Sequence, residues 1–257
     1  MKRISSRDNP HVKVWRRLAQ DSTAYRKAGQ FWLEGDHLCS AALARGVQAQ
    51  QVVLTESLWT EEGSRWGHGC DQVFVVPDAL FADISGLESP ARIGFVVAWP
   101  TGSQVRPAES TVVLDRLQDA GNVGAILRCA SAFGYRQVLA IKGTAALWSS
   151  KVLRAGMGAH FGLQLFESIG VDDVAALQVP ILTTSSHEGP FLHTLLQDGG
   201  LHPKCAWVFG HEGQGVSAEL MAMARHRVRI AQPGGEESLN VATAAAICLH
   251  ASATAMA

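Results

Sequence analysis

Residues 114–134 read LDRLQDAGNVGAILRCASAFG, and this stretch decides the fold of the C-terminal part of the chain. The apolar run Val112–Leu114 predicts a strand, and a glycine-bearing loop follows it. The next apolar residues recur at helical spacing, which predicts a helix over Asn122–Phe133 with Arg128 on its polar face. A strand, a loop and a helix in this order build a ligand site where the strand ends.

Two further blocks downstream carry glycines and polar residues at similar junctions. VFGHEGQGVS (208–217) places Gly210 and Glu212 directly after an apolar strand, and glycine lets a backbone approach a ligand closely. RIAQPGGEESLNVATAAAICLH (229–250) leads from a Pro-Gly-Gly turn into an alanine-rich helix. Ser238 stands where that helix is predicted to begin, so it is a candidate N-cap.

Composition excludes several classes of protein. The chain has 257 residues, a formal net charge of -1 and 47% hydrophobic residues, as globular proteins do. No apolar run is long enough for a membrane helix, and the basic N-terminus lacks the apolar segment of a secretory signal. The five scattered cysteines predict reduced thiols in a cytoplasmic protein, with neither a disulfide framework nor a metal site.

Basic residues are concentrated near the N-terminus. Residues 1–30 contain eight Lys or Arg side chains and two Asp side chains. Such a surface suits contact with nucleic-acid phosphates, although an ordinary solvated helix has a similar composition. The candidate RNA-binding residues are Arg7, Lys13, Arg16 and Arg17.

The pattern of elements predicts two domains. We expect an α/β domain over residues 1–100, a linker over 101–110 and a second α/β domain over 111–257. In the first domain, a helix is predicted within 11–20 and at 35–44, and strands at 31–34, 51–55, 72–76 and 93–99. In the second, strands are predicted at 111–114, 137–141, 180–183, 206–209 and 228–230, and helices at 122–133, 151–156, 191–197, 218–224 and 238–251. This alternation predicts a parallel sheet covered on both faces.

The three blocks, in this order, resemble the SpoU (TrmH) family of RNA ribose methyltransferases in the SPOUT class. The resemblance covers roughly Ser110 to the C-terminus. The stretch SSRDNPHVKVWRRLAQDSTAYRKAGQFWLEGDHLCSAAL also resembles the ribosomal-protein-like substrate-binding domain of family members that methylate rRNA. Periodicity alone predicts a doubly wound topology, whereas the resemblance implies a deep trefoil knot in the C-terminal domain. It also implies a homodimer formed through that domain.

The resemblance implies methyl transfer from S-adenosylmethionine to a ribose 2′-hydroxyl. It makes Arg128 the main catalytic residue, with hydrogen-bonding roles for Asn122, Glu212, Ser238 and Asn240. The implied cofactor contacts are Thr184, Gly210, Ile230 and Leu239. Because a guanidinium keeps its proton under all ordinary conditions, we expect Arg128 to clamp RNA phosphate and stabilise the developing alkoxide.

The sequence departs from the family pattern at three positions, His211, Ala231 and Gln232, which we expect to alter the surroundings of the cofactor. The alternatives are a tRNA 2′-O-methyltransferase and a non-catalytic RNA-binding protein that kept the fold. A Rossmann enzyme, a serine hydrolase and a zincin are excluded because their motifs, G-x-G-x-x-G, G-x-S-x-G and H-E-x-x-H, do not occur.

Overall fold

The structure is a computed structural model of the chain, and it describes residues 1–66, 70, 72–202, 204–235 and 237–255. The strands are β1 (Lys2–Arg3), β2 (Gln30–Glu34), β3 (Ala49–Thr55), β4 (Gln72–Val76), β5 (Ile93–Ala98), β6 (Thr111–Asp115), β7 (Gln137–Ile141), β8 (Gln164–Ile169), β9 (Ile181–Thr184), β10 (Ala206–Gly210) and β11 (His226–Val228). The helices are α1 (Pro10–Gln20), α2 (Ala24–Ala28), α3 (Asp36–Ala44), α4 (Glu56–Trp66), α5 (Asp78–Ile84), α6 (Ala120–Ala132), α7 (Ser150–Gly156), α8 (Val171–Ala175), α9 (Leu192–Gln197), α10 (Ala218–Met223) and α11 (Val241–Thr254).

The chain divides into two compact units. The first unit comprises Met1–Gly102 and Trp148–Phe161, and the second comprises Ser103–Leu147 and Gly162–Ala257. The segment that carries α7 therefore belongs to the first unit, although the sequence pattern groups it with residues 111–257. No helix in the described part of the chain is both long and apolar enough to cross a membrane.

The first unit is built on a five-stranded mixed sheet in the order β1-β4-β3-β5-β2, with β5 antiparallel to β2 and β3. Helix α1 begins where Asn9 caps it, because the Asn9 side chain accepts from the His11 amide and Pro10 fits the first helical position. Its apolar face, which includes the fully buried Val12 and Trp15, packs into the core of this unit.

The second unit is built on a six-stranded sheet in the order β11-β9-β10-β6-β7-β8, and every neighbouring pair is parallel. All residues of β6, β7 and β10 are buried, as expected for central strands covered on both faces. The predicted parallel sheet is therefore confirmed. Helix α11 packs on β10, where the Trp207 indole donates to Ser252 Oγ at 2.8 Å.

Some predicted bounds were wrong, and some elements were missed. The last helix begins at Val241 and not at Ser238, because Asn240 caps it. The strand predicted at 228–230 lies at His226–Val228. Strand β8 was missed because its sequence, QLFESI, does not alternate apolar and polar residues as a strand with one buried face does. In the structure all but one of its residues are half-buried.

Candidate active site

Three of the predicted cofactor contacts follow neighbouring strands of the parallel sheet. Thr184 ends β9, Gly210 ends β10, and Ile230 lies two residues after β11. These strand ends are adjacent because β9 lies between β11 and β10. Leu239, the fourth predicted contact, directly precedes the cap of α11 and is 37% exposed. The carboxyl edge of a parallel sheet is where such folds bind ligands.

Gly210 is required by the loop that follows it. A Cβ at Gly210 would lie 2.2 Å from both the Gly215 carbonyl carbon and the Val216 nitrogen, so a larger residue cannot be placed without moving the backbone. Two backbone hydrogen bonds between His211 and Gly215 close the loop. The His211 amide donates to the Gly215 carbonyl at 3.0 Å, and the Gly215 amide donates to the His211 carbonyl at 2.8 Å. The sequence pattern had marked this glycine for close approach to a ligand, and the structure shows that it also permits close approach of the chain to itself.

His211, one of the departures from the family pattern, stabilises this loop from within. Its Nδ1 accepts hydrogen bonds from the Gly213 amide at 3.0 Å and the Gln214 amide at 3.2 Å. The histidine therefore satisfies backbone donors of its own turn, as a capping side chain does.

Glu212 connects this loop to the beginning of α6. Its carboxylate accepts hydrogen bonds from the Gln118 amide at 3.1 Å, the Asp119 amide at 3.1 Å and Asn122 Nδ2 at 3.2 Å. Partial burial alone would raise the pKa of this carboxyl, but these hydrogen bonds outweigh burial, and the pKa of Glu212 is lowered from its ordinary value. Glu212 is therefore held as a carboxylate whose lone pairs are largely occupied.

Asn122 and Asn240 extend the network to the third sequence block. Asn240 Nδ2 donates to Asn122 Oδ1 at 2.9 Å, while Asn240 Oδ1 accepts from the Ala242 amide at 2.9 Å and the Thr243 amide at 3.2 Å. Asn240 thus caps α11 and binds Asn122 with the same side chain. The structure brings together Asn122, Glu212 and Asn240, which lie far apart in the sequence.

Arg128 and Ser238 lie outside this network. Arg128 is exposed on α6 and forms neither a hydrogen bond nor an ion pair with any described residue. Ser238 is also exposed, and its hydroxyl has no partner within the described ranges, so it does not cap the helix as the sequence suggested. A guanidinium without a carboxylate partner remains free to bind an anionic ligand.

Asp115 is a residue of this edge that the sequence analysis missed. Its carboxylate is 1% exposed at the end of β6 and accepts from Arg116 Nε at 2.8 Å and from the Ser217 amide at 2.6 Å. The hydrogen bond to Asp115 and the charge of Asp115 raise the pKa of Arg116. The signal in the sequence is an acidic residue that ends an apolar strand, VVLD. Asp115 anchors the far end of the loop that begins at His211.

The first unit holds the four predicted RNA-binding residues, and these residues differ in whether a carboxylate faces them. Arg7 and Arg16 both pair with Asp83, and Arg16 is also hydrogen-bonded to the Asp83 carbonyl. Lys13 lies 3.4 Å from Asp8 in a largely exposed pair. Arg17 forms no ion pair with the described residues and is exposed. Arg16 therefore holds α1 against α5, whereas Lys13 and Arg17 are accessible to a partner.

The described residues contain no group of three or more His, Cys, Asp or Glu side chains arranged to hold a metal ion. The groups that the structure shows at the carboxyl edge are instead side-chain amides, carboxylates, backbone amides and the Arg116 guanidinium.

Comparison with protein families matches both parts of the chain. Residues 109–250 match the SpoU rRNA Methylase family, and residues 9–94 match the MRM3-like substrate binding domain. The first match includes Arg128 and all three sequence blocks.

Individual relatives match over nearly the whole chain. The 23S rRNA (guanosine(2553)-2′-O)-methyltransferase RlmP of Bacillus subtilis is 28% identical over 97% of this chain and 98% of its own length. The crystal structure of an RNA 2′-O ribose methyltransferase is 28% identical with a TM-score of 0.79, and the match covers 97% of both chains. The SpoU methyltransferase AviRb of Streptomyces viridochromogenes, solved in complex with AdoMet, has the same fold, with 24% identity, a TM-score of 0.78 and coverage of 96% of this chain and 98% of that one.

Proposed function

Since this chain belongs to the SpoU rRNA methylase family, we propose that it methylates a ribose 2′-hydroxyl in ribosomal RNA with S-adenosylmethionine as the methyl donor. The observation that carries the proposal is the hydrogen-bonded network of Glu212, Asn122 and Asn240. It joins three separate blocks of sequence at the carboxyl edge of one parallel sheet.

The residues at this edge fit the methyl donor. Thr184, Gly210, Ile230 and Leu239 would hold it, and the strand ends offer backbone groups for that purpose. Gln232 Oε1, two residues beyond Ile230, is buried and has no hydrogen-bond partner among the described residues. A buried acceptor of this kind is costly unless a donor reaches it, and an amino group of the bound cofactor would be such a donor. When bound, S-adenosylmethionine supplies a methyl group activated by its sulfonium.

The chain's own residues would position the reacting hydroxyl. The transfer would exchange the methyl carbon–sulfur bond of the donor for a methyl–oxygen bond on the ribose, and the hydroxyl proton would pass to solvent. Arg128 would bind an RNA phosphate and stabilise negative charge on the ribose oxygen, as preorganised cations do. Glu212 and Asn240 act on Asn122, because both contact it directly, and so they fix the beginning of the helix that carries Arg128.

Two features support rRNA over tRNA as the substrate. The chain carries an MRM3-like substrate binding domain, and the Bacillus subtilis relative that it matches end to end is named for methylation of 23S rRNA. We extend the proposal to the family's trefoil knot in the second unit and to a homodimer formed through that unit. The non-catalytic alternative is disfavoured because Arg128, Asn240 and the loop glycines are all present.

A methyl-transfer assay tests the proposal. The protein is incubated with radiolabelled S-adenosylmethionine and unmodified large-subunit rRNA, small-subunit rRNA or tRNA. We expect label in one rRNA, at a single site that resists alkaline hydrolysis because its 2′-oxygen is methylated. Label in tRNA alone would overturn the choice of substrate, and cofactor binding without label in any RNA would overturn the proposed activity.

A further inference from the structure

The segment Trp148–Phe161 lies within the SpoU match of the sequence but folds with the first unit. The Trp148 ring packs against Phe31 with ring centroids 4.7 Å apart. Val152 and Leu153 of α7 are fully buried. The Ser150 hydroxyl donates to the Ala19 carbonyl at 3.0 Å, which fixes the beginning of α7 against the last turn of α1. The segment is therefore an integral part of the unit that contains the substrate-binding domain.

This segment determines the net charge of the first unit. Residues 1–102 contain eleven Lys or Arg and eleven Asp or Glu, and so they are formally neutral. Residues 148–161 add Lys151 and Arg154 and no acidic residue. The formal net positive charge of the unit thus comes from a segment outside the matched substrate-binding domain, which ends at residue 94.

Lys151 and Arg154 are exposed and are three residues apart, so they lie on neighbouring positions of one face of α7. Neither side chain forms an ion pair or a hydrogen bond with the residues that the structure describes. Several basic residues of α1 and the preceding loop are different, because Arg7, Arg16 and Lys13 each face a carboxylate. Unpaired cations on a rigid helix are suited to bind phosphate at little cost in lost interactions.

We propose that α7 forms, together with the end of α1, a second part of the RNA-binding surface, in which Lys151 and Arg154 contact backbone phosphates. The hydrogen bond between Ser150 and Ala19 brings Lys151 next to the helix end that carries Arg17. The occupant is the phosphate backbone of the RNA substrate, because Lys151 and Arg154 are solvent-exposed, form no ion pair with the described residues, and lie on the helix that is hydrogen-bonded to the last turn of α1, where Arg17 is exposed as well. The inference rests on the proposed function, since it assigns part of the surface for that substrate.

The test is the salt dependence of RNA binding by the full chain. The double variant K151Q/R154Q is compared with wild type and with R65Q/R92Q, a control that removes the same charge from arginines already paired with Glu62 and Glu61. We expect the slope of log affinity against log salt to become shallower by about 1 to 2 in K151Q/R154Q, with affinity for rRNA lowered by roughly tenfold or more near physiological salt. We expect the control to keep the wild-type slope.

Affinity for S-adenosylmethionine and the unfolding temperature provide the check on folding, and both should match wild type in K151Q/R154Q. Wild-type methyl transfer to rRNA together with an unchanged slope in K151Q/R154Q would overturn the inference and leave the proposed function intact. If wild type neither binds nor methylates any RNA, the proposed function fails and the inference fails with it.

Discussion

At the scale of single residues, the Glu212 carboxylate connects two parts of the chain that lie 94 residues apart. It accepts from two backbone amides of the turn before α6 and from Asn122, and its pKa is lowered as a result. The charged form is therefore favoured by folding. Its contribution to stability is complete above the ordinary pKa of 4.5 and is lost as the pH falls through the lowered pKa of the folded state.

The variant Glu212→Gln tests this linkage. We expect it to unfold at a lower temperature than wild type at neutral pH, because a neutral amide accepts these hydrogen bonds less strongly than a carboxylate does. The difference should shrink as the pH is lowered from neutral through the ordinary pKa of 4.5 and on through the lowered pKa of the folded state, because wild type then becomes protonated as well. Thermal unfolding across that range measures it, and a difference independent of pH would contradict the assigned charge.

Asn240 and Ser238 are both residue types that cap helices, and they lie only two positions apart. In the structure Asn240 caps α11 and Ser238 does not. We expect Asn240→Ala to lower the free energy of unfolding by about 0.5–2 kcal/mol, because two amides of α11 lose their acceptor. Ser238→Ala should change it by less than about 0.5 kcal/mol, as exposed substitutions usually do. Urea unfolding of both variants decides the point, and equal losses would mean that the cap is wrongly assigned.

At the scale of elements, the loop after β10 depends on a glycine at one position and not at another. Gly210→Ala places a Cβ 2.2 Å from backbone atoms of residues 215 and 216, whereas a Cβ at Gly213 would come no closer than 3.9 Å to the atoms around it. We expect Gly210→Ala to cost roughly 1–3 kcal/mol or more and to weaken cofactor binding, with Gly213→Ala near wild type. Calorimetric titration with S-adenosylmethionine and unfolding curves measure both effects, and equal behaviour of the two variants would refute the argument.

The strands and helices around the site were largely predictable because β6, β7 and β10 are continuous apolar runs bounded by polar residues. The sequence also located the three blocks that supply the site. It could not identify the partners of Glu212, because these hydrogen bonds depend on which strand ends become neighbours in the sheet. The sequence also could not predict that Asn240 and not Ser238 caps α11, since both residue types cap helices well.

At the scale of the whole molecule, the assignment of residues 148–161 to the first unit was not predictable from local pattern. It depends on the packing of Trp148 against Phe31 and on the hydrogen bond from Ser150 to Ala19, and both are contacts between residues far apart in the chain. The predicted homodimer also belongs to this scale, because it is a property of two assembled chains and not of a local sequence pattern.

We expect the protein to sediment as a dimer at micromolar concentration. Ile247 is 37% exposed on the otherwise alanine-rich α11, and an exposed aliphatic side chain of this kind is suited to a subunit contact. Ile247→Asp should shift the protein toward monomer without lowering its unfolding temperature at high dilution. A wild-type protein that sediments as a monomer would contradict the proposed dimer.

The most direct test of the central claim is a single-turnover measurement of methyl transfer to rRNA by wild type and by Arg128→Ala. Arg128 has no partner among the described residues, so its removal should leave the fold and cofactor affinity unchanged. We predict a rate lowered by roughly 100-fold or more, the usual cost of losing a group that stabilises transition-state charge, with the dissociation constant for S-adenosylmethionine close to that of wild type. A variant that methylates rRNA at the wild-type rate would contradict the assignment of this edge of the sheet as the active site.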